Sequence, residues 1–236
     1  MKRLFTFVAV ACAITATLSS CVFVRINKDG FMAGSGERVV ASKNLETTTY
    51  TVPQFTGIES SISADIDYRT SDGEPSVWIE APDNFIDHMH FEVEDGILQV
   101  RFDDNRNYKF SKIKIKVSSA TLESLSILGA GDFDCEDLAC QSMDVSINGA
   151  GDVTFDGISC EGDMNISVRG AGDIDVDGLS CRGLKVEIMG AGDVRLSGKA
   201  ESADLRIMGA GDIDASGLDC GDIRPMVAGV GSIRRK

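Results

Sequence analysis

The chain reads as all-β, a single-stranded parallel β-helix with coils of about twenty residues, and three observations predict this. A four-residue block, Gly-Ala-Gly-Asp, begins at Gly129, Gly149, Gly170, Gly190 and Gly209, and a worn copy, Gly229-Val230-Gly231-Ser232, follows. Successive blocks start 20, 21, 20, 19 and 20 residues apart, and a period held this tightly indicates a repeat architecture. Between blocks, short runs alternate polar and apolar residues, as in Asp173-Ile174-Asp175-Val176-Asp177 and Leu184-Lys185-Val186-Glu187-Ile188. That alternation is the signature of strands with one buried face.

In-register parallel coiling sets like residues on like, about 4.8 Å apart. Glycine pairs would lie over glycine pairs, where the backbone bends or takes positive φ. Cys140, Cys160, Cys181 and Cys220 would form a second column, with Ala200 in the missing place. Twenty residues at ~3.3 Å give a perimeter of about 66 Å at most, enough for two or three short faces around a thin Val/Ile/Leu core. A chain of antiparallel hairpins, one per repeat, is the rival arrangement. It pairs unlike positions and leaves the columns unexplained. The pattern does not encode handedness, and right-handed coiling is the favoured expectation.

The ends carry different signals. Lys2 and Arg3 precede an apolar run, residues 4–17, that is short for a membrane span. Leu18-Ser19-Ser20-Cys21 then resembles a bacterial lipobox, so residues 1–20 are expected to be a lipoprotein signal peptide and Cys21 the lipidated residue. Acyl chains anchor at ~0.8 kcal/mol per buried CH₂, and no later segment is apolar enough to span a bilayer. Residues 21–36, ending in Gly34-Ser35-Gly36, are expected to be a flexible tether. The folded domain then covers 37–236.

Within it, 121–236 holds the regular repeats and 37–120 is less regular, forming first coils or a cap. Strands are expected at 47–52, 57–68, 76–80, 91–93, 97–102 and 112–117, with Glu94-Asp95-Gly96 as a hairpin turn. Residues 84–90 read as a short helix or loop. A solenoid needs both ends protected from strand addition, and Ile233-Arg234-Arg235-Lys236 suits an edge guarded by charge.

The formal net charge is −14; residues 1–20 hold two basic side chains and no acid, so the remainder is near −16. Such a surface repels nucleic acid and anionic headgroups. An acidic disordered chain is excluded, because 43% of residues are hydrophobic and regularly patterned.

Asp132, Asp152, Asp173, Asp193 and Asp212 are the sharpest candidates for chemistry. Stacked carboxylates ~5 Å apart repel by about 0.8 kcal/mol per pair in water, so something must compensate. One answer is that each Asp caps its own glycine turn by accepting backbone N–H bonds. The other is cation binding, with Ca²⁺ bridging neighbouring coils and Asp134, Asp175 and Asp214 contributing. The nine-residue Ca²⁺ β-roll register is missing. The cysteine column reads as buried free thiols or as disulfides between adjacent coils among Cys140, Cys160 and Cys181, and Cys135 is expected to face another column. No Cys spacing of a metal centre occurs. By their period-two spacing His88 and His90 share a face, which either binds a metal weakly or holds two incidental loop histidines. Trp78, Tyr50, Tyr68 and Tyr108 are candidates for a sugar-stacking patch or for core packing. No Ser/His/Asp set, phosphate-binding glycine loop or H-E-x-x-H appears, and no catalytic residue or resident metal is assigned.

Four stretches together resemble the auto-transporter adhesin "head GIN" domain family over nearly the whole chain after Cys21: Gly34-Ser35-Gly36-Glu37-Arg38, Phe55-Thr56-Gly57-Ile58, Asp95-Gly96-Ile97-Leu98 and the Gly-Ala-Gly-Asp series. The resemblance implies a β-helical fold and, through the family's name, adhesion; it supplies no catalytic or binding residues. With the lipobox, the chain looks like an outer-membrane lipoprotein of Bacteroidetes type. Val22-Phe23-Val24-Arg25 lacks the acidic cluster that marks surface export in such bacteria, so periplasmic and surface facing both stay open. The expected function is non-enzymatic: a lipid-anchored envelope module that binds a protein or glycan, or acts as a scaffold. A carbohydrate-active β-helix enzyme and a cation-binding structural element are the alternatives.

Overall fold

The computed structural model describes residues 25–27, 30–32, 38–103, 106–108 and 112–236. The expected signal segment 1–20, Cys21 and Gly34-Ser35-Gly36 lie outside these. The chain divides into two units, Met1–Glu37 and Arg38–Lys236. In the first, Arg25–Asn27 and Gly30–Met32 pair antiparallel, within the segment 21–36 expected to be a flexible tether.

The second unit is a β-solenoid of about six turns, with stacked parallel coils. Each regular coil begins with a strand such as Phe133–Cys140 or Val153–Cys160, turns, and continues in a second strand such as Met143–Ile147 or Met164–Val168. In the later coils both faces join into single strands, Ile174–Ile188, Val194–Ile207 and Ile213–Val227. All of these pair parallel with the coils before and after. The hairpin-chain alternative is therefore excluded for the repeats.

The burial pattern of Phe133–Cys140 explains how one strand serves two faces. Phe133, Cys135, Leu138 and Cys140 point inward, and the alternation skips at Glu136 and Asp137, both exposed. At that skip the chain turns. Asp137 has φ 51°, and in the next three coils Gly157, Gly178 and Gly198 take φ 86°, 65° and 123°. Positive φ is cheap for glycine and tolerable for Asp, which is why Asp137 and then Gly157, Gly178 and Gly198 hold this position.

Inward residues stack in columns. Ile79, Ile115, Ile66, Phe133, Val153, Ile174, Val194 and Ile213 sit opposite one another in succession and are all buried. On the second face Val145, Ile166, Val186 and Leu205 do the same. Burying each such side chain contributes roughly 1.5–3 kcal/mol, and this continuous core is what a single coil could not build alone.

The N-terminal segment extends both faces and then departs from coiling. Gly57–Ser60 and Asp65–Thr70 supply the two faces of an early coil. Ser76–Pro82 runs antiparallel to Lys114–Ser119 and to Leu45–Thr51, and Met89–Glu94 runs antiparallel to Ile97–Phe102. The run expected at 57–68 is two strands broken by a corner. Asp95 and Gly96, with φ 51° and 79°, form the predicted hairpin turn. Asp83–Ile86 is a single helical turn whose Phe85 packs edge-on to Tyr108, with Tyr108 stacked on Phe102 at 3.7 Å between centroids. No helix among the described residues is long and apolar enough to cross a membrane.

Among the described residues, no further strand pairs along the second face of the last coil. Ile233–Arg235 covers only the first face of the last coil. On the second face, Ala228 donates to the Ile207 carbonyl, and Val227 lies opposite Ile207. Backbone direction alternates along a strand, so Ile223, Pro225 and Val227 turn their backbone groups outward. Pro225 has no N–H, so the exposed edge lacks a donor at its middle.

Candidate functional site

The Gly-Ala-Gly-Asp blocks form one corner of the solenoid, and its construction starts from a missing side chain. A Cβ added to Gly149, Gly170, Gly190 or Gly209 would collide with the carbonyl oxygen of the first block glycine one coil earlier. The second glycines, Gly151, Gly172, Gly192 and Gly211, face the same obstacle. Glycine is thus required by close approach of the neighbouring backbone. Of the two expected reasons, a bend or positive φ, the second is found in the blocks only at Gly231 of the worn copy. The approach lets the alanine N–H of each block donate to the glycine carbonyl of the preceding coil: Ala150 to Gly129, Ala171 to Gly149 and Ala191 to Gly170, each at 2.9 Å.

The aspartates follow at once. The five predicted residues do form a column, and each carboxylate reaches across the coils. The Asp152 N–H donates to Asp132 Oδ1 at 3.2 Å, Asp173 to Asp152 at 2.8 Å, Asp193 to Asp173 at 2.7 Å and Asp212 to Asp193 at 2.8 Å. Ser232 ends the ladder, giving both its N–H and its hydroxyl to Asp212 Oδ1 at 2.6 and 2.8 Å. The bonds join neighbouring turns, where a cap within each turn was expected. The carbonyls of Asp152, Asp173, Asp193 and Asp212 meanwhile accept from Phe133, Val153, Ile174 and Val194 of the preceding coil. Each Asp therefore locks two coils together through backbone and side chain at once.

Electrostatics around the ladder are uneven. Outward positions beside it run Asp67, Asp134, Thr154, Asp175, Arg195, Asp214 and Arg234 in register. Toward the C-terminus charges alternate, and Arg234 pairs with Asp214 at 3.0 Å. Toward the N-terminus they do not. Partial burial pushes the Asp134 carboxyl above its usual range, and the carboxylates of Asp132 and Asp67 add to this. Asp212 is held low by the Ser232 hydroxyl and N–H. Among the described residues, no group of three or more His, Cys, Asp or Glu side chains is gathered to hold a metal ion. The hydrogen-bond ladder gives every carboxylate of the column a partner in the next coil.

The cysteine column also forms. Cys140 lies opposite Cys160, Cys181 opposite Ala200, and Ala200 opposite Cys220. Cys135 faces a different column, between Tyr68 and Phe155. All five cysteines here are free thiols. Burial pushes the Cys135 thiol up to about 12 and Cys181 to about 11.

The remaining candidates separate. His88 and His90 both face Asp103, each 3.5 Å from one of its carboxylate oxygens, confirming a shared face. The four aromatics do not form one patch. Tyr68 is fully buried and bonds Ser119 Oγ at 2.9 Å; Tyr50 packs on Phe91; Tyr108 joins the Phe85 cluster; Lys116 sits over the Trp78 ring. Hollows along the rod are shallow, such as one of about 100 Å³ lined by Asp193, Arg195, Asp212 and Arg234. Another, of about 400 Å³, is lined by Thr121, Glu123, Cys140, Gln141 and Glu161. Sequence reading missed this second hollow, because its residues come from three coils and carry no motif.

These features define a β-solenoid whose corners are built from glycine close approach and a cross-coil aspartate ladder. Residues 54–162 and 157–235 match the family described as "Putative auto-transporter adhesin, head GIN domain", and the chain belongs to it. No curated protein matches. Among solved structures, a Bacteroides fragilis protein named a "putative adhesin" shares 25% identity with TM-score 0.68, covering 84% of this chain and all of that one. A "putative adhesin" from Parabacteroides merdae is 22% identical with TM-score 0.73, over 84% of this chain and 83% of that one. A Parabacteroides distasonis protein named a "Putative lipid binding protein" is 19% identical with TM-score 0.64, over 85% of this chain and all of that one. The last two show the fold alone.

Proposed function

We propose that this protein is a lipid-anchored, non-enzymatic cell-envelope module that presents the solenoid as an adhesin-like binding surface. Membership in an adhesin family supports the role. The observation that carries the reading is the form of the solenoid: long faces of ordered outward side chains, with hollows that stay shallow. Such faces suit an extended partner, a protein or a neutral glycan, contacted over several coils. The net charge of −14 disfavours nucleic acid and anionic polysaccharide. Cys21, at the end of Leu18-Ser19-Ser20-Cys21, is the proposed lipid attachment point and outer-membrane anchor.

Two measurements test this. Cells fed a clickable fatty acid should label the wild-type chain in the membrane fraction, and Cys21→Ala should lose both label and membrane association. The purified chain should bind members of a panel of mucin glycans and matrix proteins saturably, without releasing new reducing ends. Release of reducing ends from a polysaccharide would favour the enzyme reading instead.

A further inference from the structure

Two consecutive coils bring Cys140 and Cys160 directly opposite each other, with their sulfurs 3.3 Å apart. Neighbouring strands sit about 4.8 Å apart, inside the Cα separation a disulfide accepts. The pair is buried but close to the surface, at 8% and 5% exposure, and Cys140 lines the hollow formed with Thr121, Glu123, Gln141 and Glu161. Cys135 lies deeper, at 2%, in another column. Above Cys181 the column is interrupted by Ala200, so Cys181 has no thiol on that side.

The two sulfurs are not equivalent. A hydrogen bond joins the two thiols, and across it the Cys140 thiol is lowered while that of Cys160 is raised far above the ordinary range. Cys140 is thus the readier thiolate and stands at the hollow, while Cys160 stands behind it. An attacking thiol in front and a resolving thiol behind is the geometry that thiol–disulfide exchange requires.

We propose that Cys140 and Cys160 are a redox pair that closes a disulfide between consecutive coils by exchange with a small disulfide oxidant entering the hollow. The Cys140 thiolate attacks one sulfur of the oxidant, whose S–S bond breaks and whose first half leaves as a thiolate. The Cys160 sulfur, giving up its proton, then attacks Cys140 Sγ and expels the second half. Two cysteine thiols are oxidised to one disulfide, the oxidant is reduced to two thiols, and both protons end on those products. The bond would staple neighbouring turns at a site the aspartate ladder does not reach. This inference stands on the pair's geometry and does not depend on the binding role proposed above.

The probe is oxidised glutathione, added to the reduced full-length chain. Free thiols are then alkylated under denaturing conditions, and peptides are made with an Asp/Glu-directed protease, since no Lys or Arg lies between Lys116 and Arg169. The expected product is a Cys140–Cys160 cross-link, with Cys135 alkylated. Cys160→Ala should stop at a glutathione adduct on Cys140, and Cys140→Ala should leave Cys160 without one. Alanine already occupies this column at residue 200, so both variants are expected to fold, and circular dichroism checks it. Recovery of both residues alkylated, a Cys160–Cys181 link, or an adduct on Cys160 in Cys140→Ala would each overturn the proposal.

Discussion

At the corner of the regular coils Gly129 and Gly131 have no room for a Cβ, because the carbonyls of Ile62 and Ala64 lie in its path. The positions they stack on, in the irregular N-terminal part, are themselves not glycine. Ile62 and Ala64 lie between Gly57–Ser60 and Asp65–Thr70, which pair with Ile97–Phe102 and Lys114–Ser119, and both side chains are buried. The comparison teaches that glycine at this corner is demanded by the coil beneath. The first coil of a stack is exempt, and every later one is not. The same logic separates the two ends. The N-terminal end is closed by antiparallel strands, whereas at the other end, among the described residues, no further strand pairs along the second face of the last coil, where Pro225 stands.

The sharpest way to break this contrast is Gly170→Ala. Its methyl would strike the Gly149 carbonyl and disrupt the bond from Ala171. Overpacking against rigid backbone should cost about 3 kcal/mol or more, read as a large drop in Tm by thermal melting, while Ala64→Gly should cost about 1 kcal/mol. If Gly170→Ala melts like the wild type, glycine is not there for close approach.

Pro225→Ala tests the open edge. Restoring an outward N–H should raise self-association, seen as a shift to larger species in size-exclusion chromatography with light scattering. An unchanged monomer fraction would mean that the basic tail alone protects the edge.

Asp173 separates hydrogen bonding from ion binding. Asp173→Ala removes the acceptor for the Asp193 N–H and should lose about 1 kcal/mol. Asp173→Asn keeps an oxygen at the same place and should melt near or above the wild type, since one repulsive charge is gone. Millimolar Ca²⁺ should leave all three Tm values unchanged; a rise in the wild type that Asp173→Asn abolishes would establish a cation bridge.

The smallest effect is expected at Asp134. Its native carboxyl is raised above the ordinary 3.8, so the folded state holds the proton more tightly than the unfolded one. Its favourable contribution is complete below pH 3.8 and is lost as pH rises through the native value. Asp134→Asn should therefore raise Tm slightly at neutral pH, and the gain should vanish below pH 3.8. A gain that persists in acid would have another cause.

Much of the fold was legible because the repeats stack in phase. A parallel register with period near twenty sets Asp152 over Asp132 and Cys160 over Cys140, so columns could be drawn from spacing alone. Alternation placed Ile174, Val176, Leu184, Val186 and Ile188 inside, where they are. The N-terminal part was less legible, because Ser76–Pro82 and Met89–Glu94 pair antiparallel across distant sequence and carry no repeat to count. The aromatic candidates were left between a surface patch and core packing for a similar reason: Tyr68 alternates like any strand residue, and only its neighbours bury it.

By itself the sequence determined the coil length, the strands, the like-on-like columns and the acidic charge, since each follows from local period and composition. The tertiary structure alone decided why the block is glycine, which coil each aspartate serves, which thiol touches which, and how the two ends are closed. Those depend on distances of a few ångströms between residues about twenty positions or more apart, and such distances exist only once the coils have packed.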